Sequence, residues 1–425
     1  MKALLLLLVS TLSACSQSVI NNEVKLAPPA WPDIAQLSDQ SSIPNILQDQ
    51  YGDSIATVEE WNAHRPYLKQ MLQHYQYGKV PEKIDSFTVV ETHKEDGKKW
   101  TRLQYSFTLY KSGQSLTFRL GLIKPLAKGK YPIIIKNDRY TFDLEEIEQE
   151  KPRNNYQKQD RLSLDLWVAD EATRRGYMYA KFNREDIFLD LQDGQSGRID
   201  KLYPNLKCGA IMVWAWTYQS IIDWLTTLPF VETNRIVATG HSRGGKTALC
   251  AGIYDDRIAV TAPNSSGLGG TASMRYYDLN HEPQTIDHHA ERFKHWWPNQ
   301  WYKLAPHLAK LPFDAHFARA LIAPRALINT HARHDYWANP YGTHLTFLKS
   351  QPIFSLYEKP HFNAMHWRDG GHGQLKEDWL ALLDFCDFVF FGSQISRPLN
   401  HNPDPDRLQF DDLSAHDITK HRRTK

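Results

Sequence analysis

A serine hydroxyl attacks a carbonyl only when a base can take its proton and an acid holds that base in place. In this 425-residue chain, Ser242 is the serine best placed for that chemistry, at the centre of Gly240-His241-Ser242-Arg243-Gly244. The β-branched run from Arg235 to Thr239 before it predicts a strand, and Thr247 to Gly252 after it predicts a helix. G-x-S-x-G between strand and helix has the form of a nucleophile elbow, a sharp turn that lifts the hydroxyl above the edge of a sheet. Glycines on either side suit a strained turn that other backbone must approach closely. The plainer alternative is a serine in an ordinary βα turn.

The partners of such a serine follow it in the order acid, then histidine. The apolar run Ala326 to Thr330 predicts a strand, and His331-Ala-Arg-His-Asp335-Tyr-Trp337 puts Asp335 at its C-terminal end. Arg368-Asp-Gly-Gly-His372-Gly373 is a glycine-rich loop ahead of the last predicted helix, where a histidine is free to reach over the serine. Ser242, Asp335 and His372 are therefore the candidate catalytic residues. With nineteen histidines in the chain, identity alone selects none of them. His334 adjoins Asp335 but is expected to point away from it, and His366 lies on the approach to the loop. His288 and His289, near Glu282 and Asp287, read as solvated surface, because adjacent histidines do not readily chelate one ion. No metal is expected.

Arg243 adds a planar, permanently charged donor set beside the oxyanion that would form on Ser242. Its charge also suits a substrate whose acyl part becomes a carboxylate, such as a uronic acid. The alternative is an exposed arginine at a helix start, where the helix dipole makes it slightly unfavourable. Lys246, one helical turn past Ser242, is expected to face the same pocket and donate to sugar hydroxyls.

These residues need a sheet to carry them. Trp100 to Tyr110 alternates with period two, turns at Lys111-Ser-Gly-Gln114, and alternates again from Ser115 to Ile123, predicting an antiparallel hairpin. Tyr131 to Lys136 and Met178 to Phe182 predict strands of a sheet covered on both faces. The polar stretch Asp143 to Asp160 between them reads as a surface insertion. Gly209 to Leu228 carries Ile211, Trp214, Ile221, Ile222 and Leu225 at helical spacing. Ile258 to Ala262 and Ala326 to Thr330 predict the next two parallel strands, Phe354 to Tyr357 a last one, and Trp379 to Phe391 a closing helix. The pattern is that of an α/β protein with the α/β-hydrolase fold, a three-layer sandwich around a mostly parallel central sheet. Its catalytic domain is expected over 51–396, with a polar tail, disordered or loosely wrapped, over 397–425.

Fifty basic residues against forty-eight acidic ones, with no basic run, give no sign of nucleic acid as a partner, and none is expected. Met1-Lys2 followed by Ala3 to Val9 forms a charged start and a short apolar stretch, the pattern of a secretion signal. It leads into Leu12-Ser13-Ala14-Cys15, which resembles a bacterial lipobox. The expectation is a lipoprotein signal peptide over 1–15, lipidation at Cys15 and a tether over 16–50. This places the protein in the bacterial cell envelope, at the outer membrane or facing the periplasm, touching membrane only through its anchor. Cys208, Cys250 and Cys386 are too widely spaced for a zinc motif and read as buried free thiols.

Gly240-His-Ser-Arg-Gly-Gly-Lys-Thr-Ala-Leu249 resembles the nucleophile motif of the glucuronoyl esterases, carbohydrate esterase family 15. Supporting segments are Gly209 to Trp216, Asn264-Ser-Ser-Gly-Leu-Gly-Gly270, Phe293-Lys-His-Trp296, Leu321 to Arg325 and Asp335 to Pro340. The resemblance implies cofactor-free hydrolysis of esters between 4-O-methyl-glucuronic acid on xylan and lignin alcohols. It also implies that Arg243 helps hold the oxyanion and that Lys246 and Trp337 contact the uronate ring. Two departures stand out. Fungal members carry the acid as Glu in the segment that here reads Asn264-Ser265-Ser266, so the acid must come from Asp335. A sugar-binding Glu of the family aligns with Gln284, which keeps an acceptor and loses the charge.

The sequence therefore reads as a serine esterase, expected to be monomeric, that cleaves uronic acid esters of plant or algal polysaccharides through an acyl-enzyme. The alternatives are a pectin-type galacturonate methylesterase, an acetyl esterase and a non-catalytic carbohydrate-binding lipoprotein.

Overall fold

Alternating and β-branched runs pair edge to edge, and here they build one twisted sheet. The computed structural model describes residues 31–401 apart from 41, 144–154, 192–197, 278–280 and 282, and apart from the side chains of 155–161. The strands are β1 (Ser86–Asp96), β2 (Trp100–Lys111), β3 (Gln114–Pro125), β4 (Tyr131–Asp138), β5 (Met178–Asn183), β6 (Val231–His241), β7 (Ile258–Asn264), β8 (Ala326–Ala332) and β9 (Asn363–Arg368). Among the described residues they form a nine-stranded sheet in the order β1-β2-β3-β5-β4-β6-β7-β8-β9. β1, β2 and β3 run antiparallel, β3 pairs antiparallel with β5, and the rest are parallel. The expected hairpin is present, with Lys111 opposite Gln114 at its turn.

The helices are α1 (Val58–Leu72), α2 (Asn155–Arg174), α3 (Ala210–Leu225), α4 (Arg243–Tyr254), α5 (Ile286–Arg292), α6 (Asn299–Tyr302), α7 (Ala315–Ala320), α8 (Pro340–Leu356) and α9 (Lys376–Phe391). Because side chains alternate along a strand, each face of the sheet takes its own helices. Ile134, Val237, Val260, Ala262 and Ile328 pack with Val168 and Ala172 of α2 and with Trp379, Leu382 and Cys386 of α9. Thr261, between Val260 and Ala262, points the other way into α4. A Cβ on Gly252 of α4 would sit 2.2 Å from its Oγ1, so that helix must lie close. The three-layer α/β-hydrolase architecture follows. No helix among the described residues is long and apolar enough to cross a membrane.

Several expectations need correction. Phe354 to Tyr357 is not a strand: residues 354–356 close α8, which Asn339 starts by accepting from the Gly342 N–H at 2.9 Å. Four alternating residues are too short a window to separate a strand from a helical turn. The last strand is β9, which leads directly into the glycine-rich loop. The stretch Asp143 to Asp160 is not simply an insertion, because the backbone from Asn155 onward is α2, the crossover helix between β4 and β5. β1 joins the sheet outside the expected hairpin, its side chains mostly exposed.

Residues 1–30 lie outside the described residues, and with them Cys15, the signal and the first part of the expected tether. The later part is not a free tether. Ile34 and Ile46 are buried, and the Gln40 N–H bonds the Ala309 carbonyl at 2.7 Å. At the other end, Arg397 Nε donates to Asp384 Oδ2 at 2.6 Å and the Asn400 N–H to the Met365 carbonyl at 2.9 Å, so 397–400 are fastened and not loose. Residues 402–425 lie outside the described residues. Cys208, Cys250 and Cys386 are free thiols.

Candidate active site

The C-terminal ends of β6, β7, β8 and β9 converge on Ser242. The residue joins the end of β6 to the start of α4 with φ 56° and ψ −118°, a left-handed conformation that costs energy in a non-glycine residue. Its N–H donates to the Asn264 carbonyl at the end of β7, at 2.9 Å. The glycines around it are required by close approach. A Cβ on Gly240 would lie 2.4 Å from the Gly244 carbonyl oxygen, and one on Gly244 would lie 2.8 Å from Asn137 Oδ1. Asn137, at the end of β4, secures the turn by donating from Nδ2 to the Gly244 carbonyl at 3.0 Å.

His372 reaches over from the loop after β9. Its Nε2 lies 3.0 Å from Ser242 Oγ and its Nδ1 2.8 Å from Asp335 Oδ2. The other carboxylate oxygen of Asp335 accepts from the Ala338 N–H at 3.3 Å, capping the turn Tyr336–Ala338. Burial pushes the Asp335 carboxyl upward. The hydrogen bond from His372, the nearby His331 and the Ser265 hydroxyl more than reverse this, leaving it below the usual carboxylate range. The acid and base loops are also joined through their backbones, Arg333 N–H to the Arg368 carbonyl at 2.9 Å and His334 N–H to the Gly370 carbonyl at 3.2 Å. The structure thus brings the three sequence candidates together in the order serine, histidine, acid. His334 is exposed and His366 lies on β9 near Glu377, so neither enters the site.

Arg243 opens α4, so its backbone N–H has no intrahelical acceptor, and the dipole of that helix favours negative charge in front of it. Its side chain does not stand free. Nη1 donates to Asp190 Oδ2 at 2.5 Å, and the guanidinium lies 4.6 Å from the ring centroid of Trp296 and 5.3 Å from that of Phe293. Asp190 is buried and also accepts from Trp296 Nε1 at 2.9 Å. Burial raises its carboxyl, and the hydrogen bond with His295 and the charges of Arg243 and Arg184 carry it far below the usual range.

Lys246 is fully buried. Its Nζ donates to the Ser266 carbonyl and to Gln284 Oε1, the latter at 2.9 Å. Burial, with Arg243 close by, holds its ammonium well below the usual lysine range. Gln284 Oε1 has a second donor. Trp297 Nε1 donates to His289 Nδ1 at 3.0 Å, which leaves the His289 proton on Nε2, 3.3 Å from Gln284 Oε1. The acceptor that Gln284 was expected to keep for substrate is therefore taken from inside. His289 is a buried member of this chain and not solvated surface. Only His288 remains at the edge, where its Nδ1 accepts from the Thr285 N–H at 3.3 Å. Glu282 lies outside the described residues. Trp337 is half-buried beside His288, ring centroids 5.6 Å apart, and its carbonyl accepts from the Gln284 N–H at 3.0 Å.

His241 and Asp190 carry site geometry that no motif disclosed. The His241 ring lies 4.6 Å from that of His372, and its Nδ1 is 2.6 Å from Asn264 Oδ1. Burial and the neighbouring His372 push its pKa down to about 3, so it meets His372 as a neutral ring. Its place beside Ser242 was the signal available. Asp190 had none, because its role depends on pairing across the fold.

A hydroxyl, an imidazole and a carboxylate in hydrogen-bonded sequence, beside an arginine at a helix N-terminus, can perform acyl transfer through a serine ester. Known proteins agree with that chemistry. A family model described as glucuronyl esterase, fungi, matches residues 164–357. Carbohydrate esterase MZ0003 from an unknown prokaryotic organism is 25% identical over 393 residues, covering 83% of this chain and 90% of its own. The 4-O-methyl-glucuronoyl methylesterase of Schizophyllum commune is 25% identical over 371 residues, covering 84% of each chain. Among solved structures, a carbohydrate esterase family 15 glucuronoyl esterase from Caldicellulosiruptor kristjansonii superposes with TM-score 0.71 at 25% identity, covering 87% of this chain and 96% of that one.

Proposed function

We propose that this chain, similar to the glucuronoyl esterases of carbohydrate esterase family 15, is a serine carboxylesterase acting on 4-O-methyl-glucuronoyl esters of the xylan–lignin type. His372 Nε2 takes the Ser242 proton as Oγ attacks the C6 carbonyl. The oxyanion forms in front of the Arg243 N–H and guanidinium, while Asp335 stabilises the imidazolium. His372 then protonates the departing alcohol, and it next removes a proton from the water that attacks the acyl-enzyme and releases the uronate. Lys246, through its contact with Gln284, and Trp337 shape the wall that receives the sugar. The observation that carries this reading is the unbroken line Ser242 Oγ, His372, Asp335, with contacts of 3.0 and 2.8 Å. Benzyl or methyl glucuronate should be hydrolysed by the purified protein, and activity surviving Ser242→Ala would end the proposal.

A second reading, a pectin-type methylesterase, is favoured by Gln284, whose acceptor oxygen is already engaged by Lys246 at 2.9 Å. Comparing kcat/KM on methyl glucuronate and methyl galacturonate separates the two. The reading as a non-catalytic carbohydrate-binding lipoprotein drew on Ser265, and Asp335 supplies the carboxylate missing there. The charged start, short apolar stretch and Leu12-Ser13-Ala14-Cys15 support delivery to the cell envelope as a lipid-anchored protein. Metabolic labelling with palmitate that persists in Cys15→Ser would remove that part.

A further inference from the structure

His372 stands on an unpromising support for a base that must keep its aim. Gly370, Gly371 and Gly373 surround it, and residues 369–372 are exposed. Gly370 has φ 96°, and a Cβ on Gly371 would meet nothing within 4 Å, so packing does not hold the loop. Something else must, and Arg368 fits that role. It ends β9 and is 2% exposed. Its Nη1 donates to the Asp369 carbonyl at 2.8 Å, and its Nη2 donates to the Gly371 carbonyl at 3.1 Å and to the Gly373 carbonyl at 2.5 Å. The last two are the carbonyls of the residues on either side of His372. The remaining donor, Nε, reaches Asp378 Oδ2 at 2.6 Å, an oxygen that also accepts from the Leu375 N–H at 2.8 Å and so caps α9.

We propose that Arg368, seated on Asp378, is the positioning residue of this esterase's base, fixing His372 by gripping the carbonyls that flank it. An ion pair serving only the fold would need the contact between strand and helix alone. Here three of the four hydrogen bonds from the guanidinium go instead to carbonyls of the histidine loop. A planar fork can serve carbonyls on both sides of one residue at once, whereas the single ammonium of lysine cannot. Asp378 in turn stops the guanidinium from following the loop outward.

This inference rests on His372 being the base, and the test separates the two claims. Arg368→Lys and Asp378→Asn are compared with the parent protein on benzyl glucuronate, together with the low-field proton NMR resonance of His372 Nδ1–H. Arg368→Lys is expected to lower kcat by about tenfold to a hundredfold with KM within about twofold, since small misplacements of a reacting group cost that much. The resonance should broaden or vanish. Asp378→Asn should lower kcat by about threefold to tenfold and shift the resonance. A folded Arg368→Lys with parental kcat and an intact resonance would overturn the proposal, as would a rise in KM that accounts for the whole loss. Should Arg368→Lys not fold, Asp378→Asn decides, and parental kcat and resonance in it count against the proposal. Full activity in His372→Ala would sink the assignment of the base itself. An inactive His372→Ala beside a fully active Arg368→Lys would sink only the positioning role.

Discussion

Arg243 Nη1 donates to Asp190 Oδ2 across 2.5 Å, and the same carboxylate meets Trp296 Nε1 at 2.9 Å and His295 Nε2 at 2.8 Å. The guanidinium beside Ser242 is thus seated by a residue far from it in the chain. Asp190→Asn should keep the shape and weaken the charge-assisted bond, letting the guanidinium drift from the forming oxyanion. A fall in kcat of about tenfold to a hundredfold is expected, roughly 1.4 to 2.8 kcal/mol of transition-state stabilisation. Steady-state kinetics on benzyl glucuronate check it, and an unaltered kcat would show that Arg243 needs no such seat.

Gln284 gives Lys246 one of its two acceptors inside the protein. Replacing it by Leu leaves a buried ammonium short of a partner, a cost of about 1 to 3 kcal/mol. Gln284→Glu instead supplies an anion and should stabilise the fold. Urea denaturation midpoints should therefore move in opposite directions for the two variants. Movement in the same direction would mean that Lys246 is not held as described.

Acid should destabilise the protein through its buried histidines. Burial, the leading cause in each, lowers the pKa of His64, His316, His344 and His366 to about 4 and that of His241 to about 3, from an ordinary 6.5. Between those values the unfolded chain binds more protons than the folded one. The stability these groups contribute is therefore complete above pH 6.5 and is lost as pH falls toward 4. Each can add a slope of at most about 1.4 kcal/mol per pH unit. Melting temperature measured from pH 8 to 4 should be flat at first and then drop below about 6.5. A rise on acidification from 6.5 to 4.5 would contradict this.

Ser265 directly follows β7 and Asp335 follows β8, and the Ser265 hydroxyl helps lower the Asp335 carboxyl. Asp335→Ala should reduce kcat by about a thousandfold or more, because His372 loses both orientation and counter-charge. Adding Ser265→Glu to that variant should return at least about tenfold by offering a carboxylate from the adjacent strand end. No recovery in a well-folded double variant would show that this strand end cannot reach Nδ1 of His372.

The elbow, the order of serine, acid and histidine, and the parallel strands beneath them were legible because each depends on neighbours in the chain. Gly240 and Gly244 announced a close approach, and Asn137 turned out to be what approaches. Asp190 was not legible, since nothing around it in sequence says that it will meet Arg243. His289 was misread because its helix, α5, spans only seven residues, too few for periodicity to mark an inner face. The polar residues that disguised α2 as an insertion lie in its first turns. Phe354 to Tyr357 misled because the helix signal, Asn339 with Pro340, stands more than a dozen residues upstream. For Asp190 the reason is long-range pairing, which leaves no local pattern.

β9 is the outermost strand on its side of the sheet, and it carries the loop of the general base at its tip. Asn400 lies along it, taking the Met365 N–H on its side-chain oxygen at 2.7 Å and giving its own N–H to the Met365 carbonyl at 2.9 Å. An open strand border invites another molecule to add to it. The chain's own C-terminal segment occupies that border first. Trimming the protein before residue 400 would therefore bare a ribbon able to recruit a second copy, just where the geometry of the base begins.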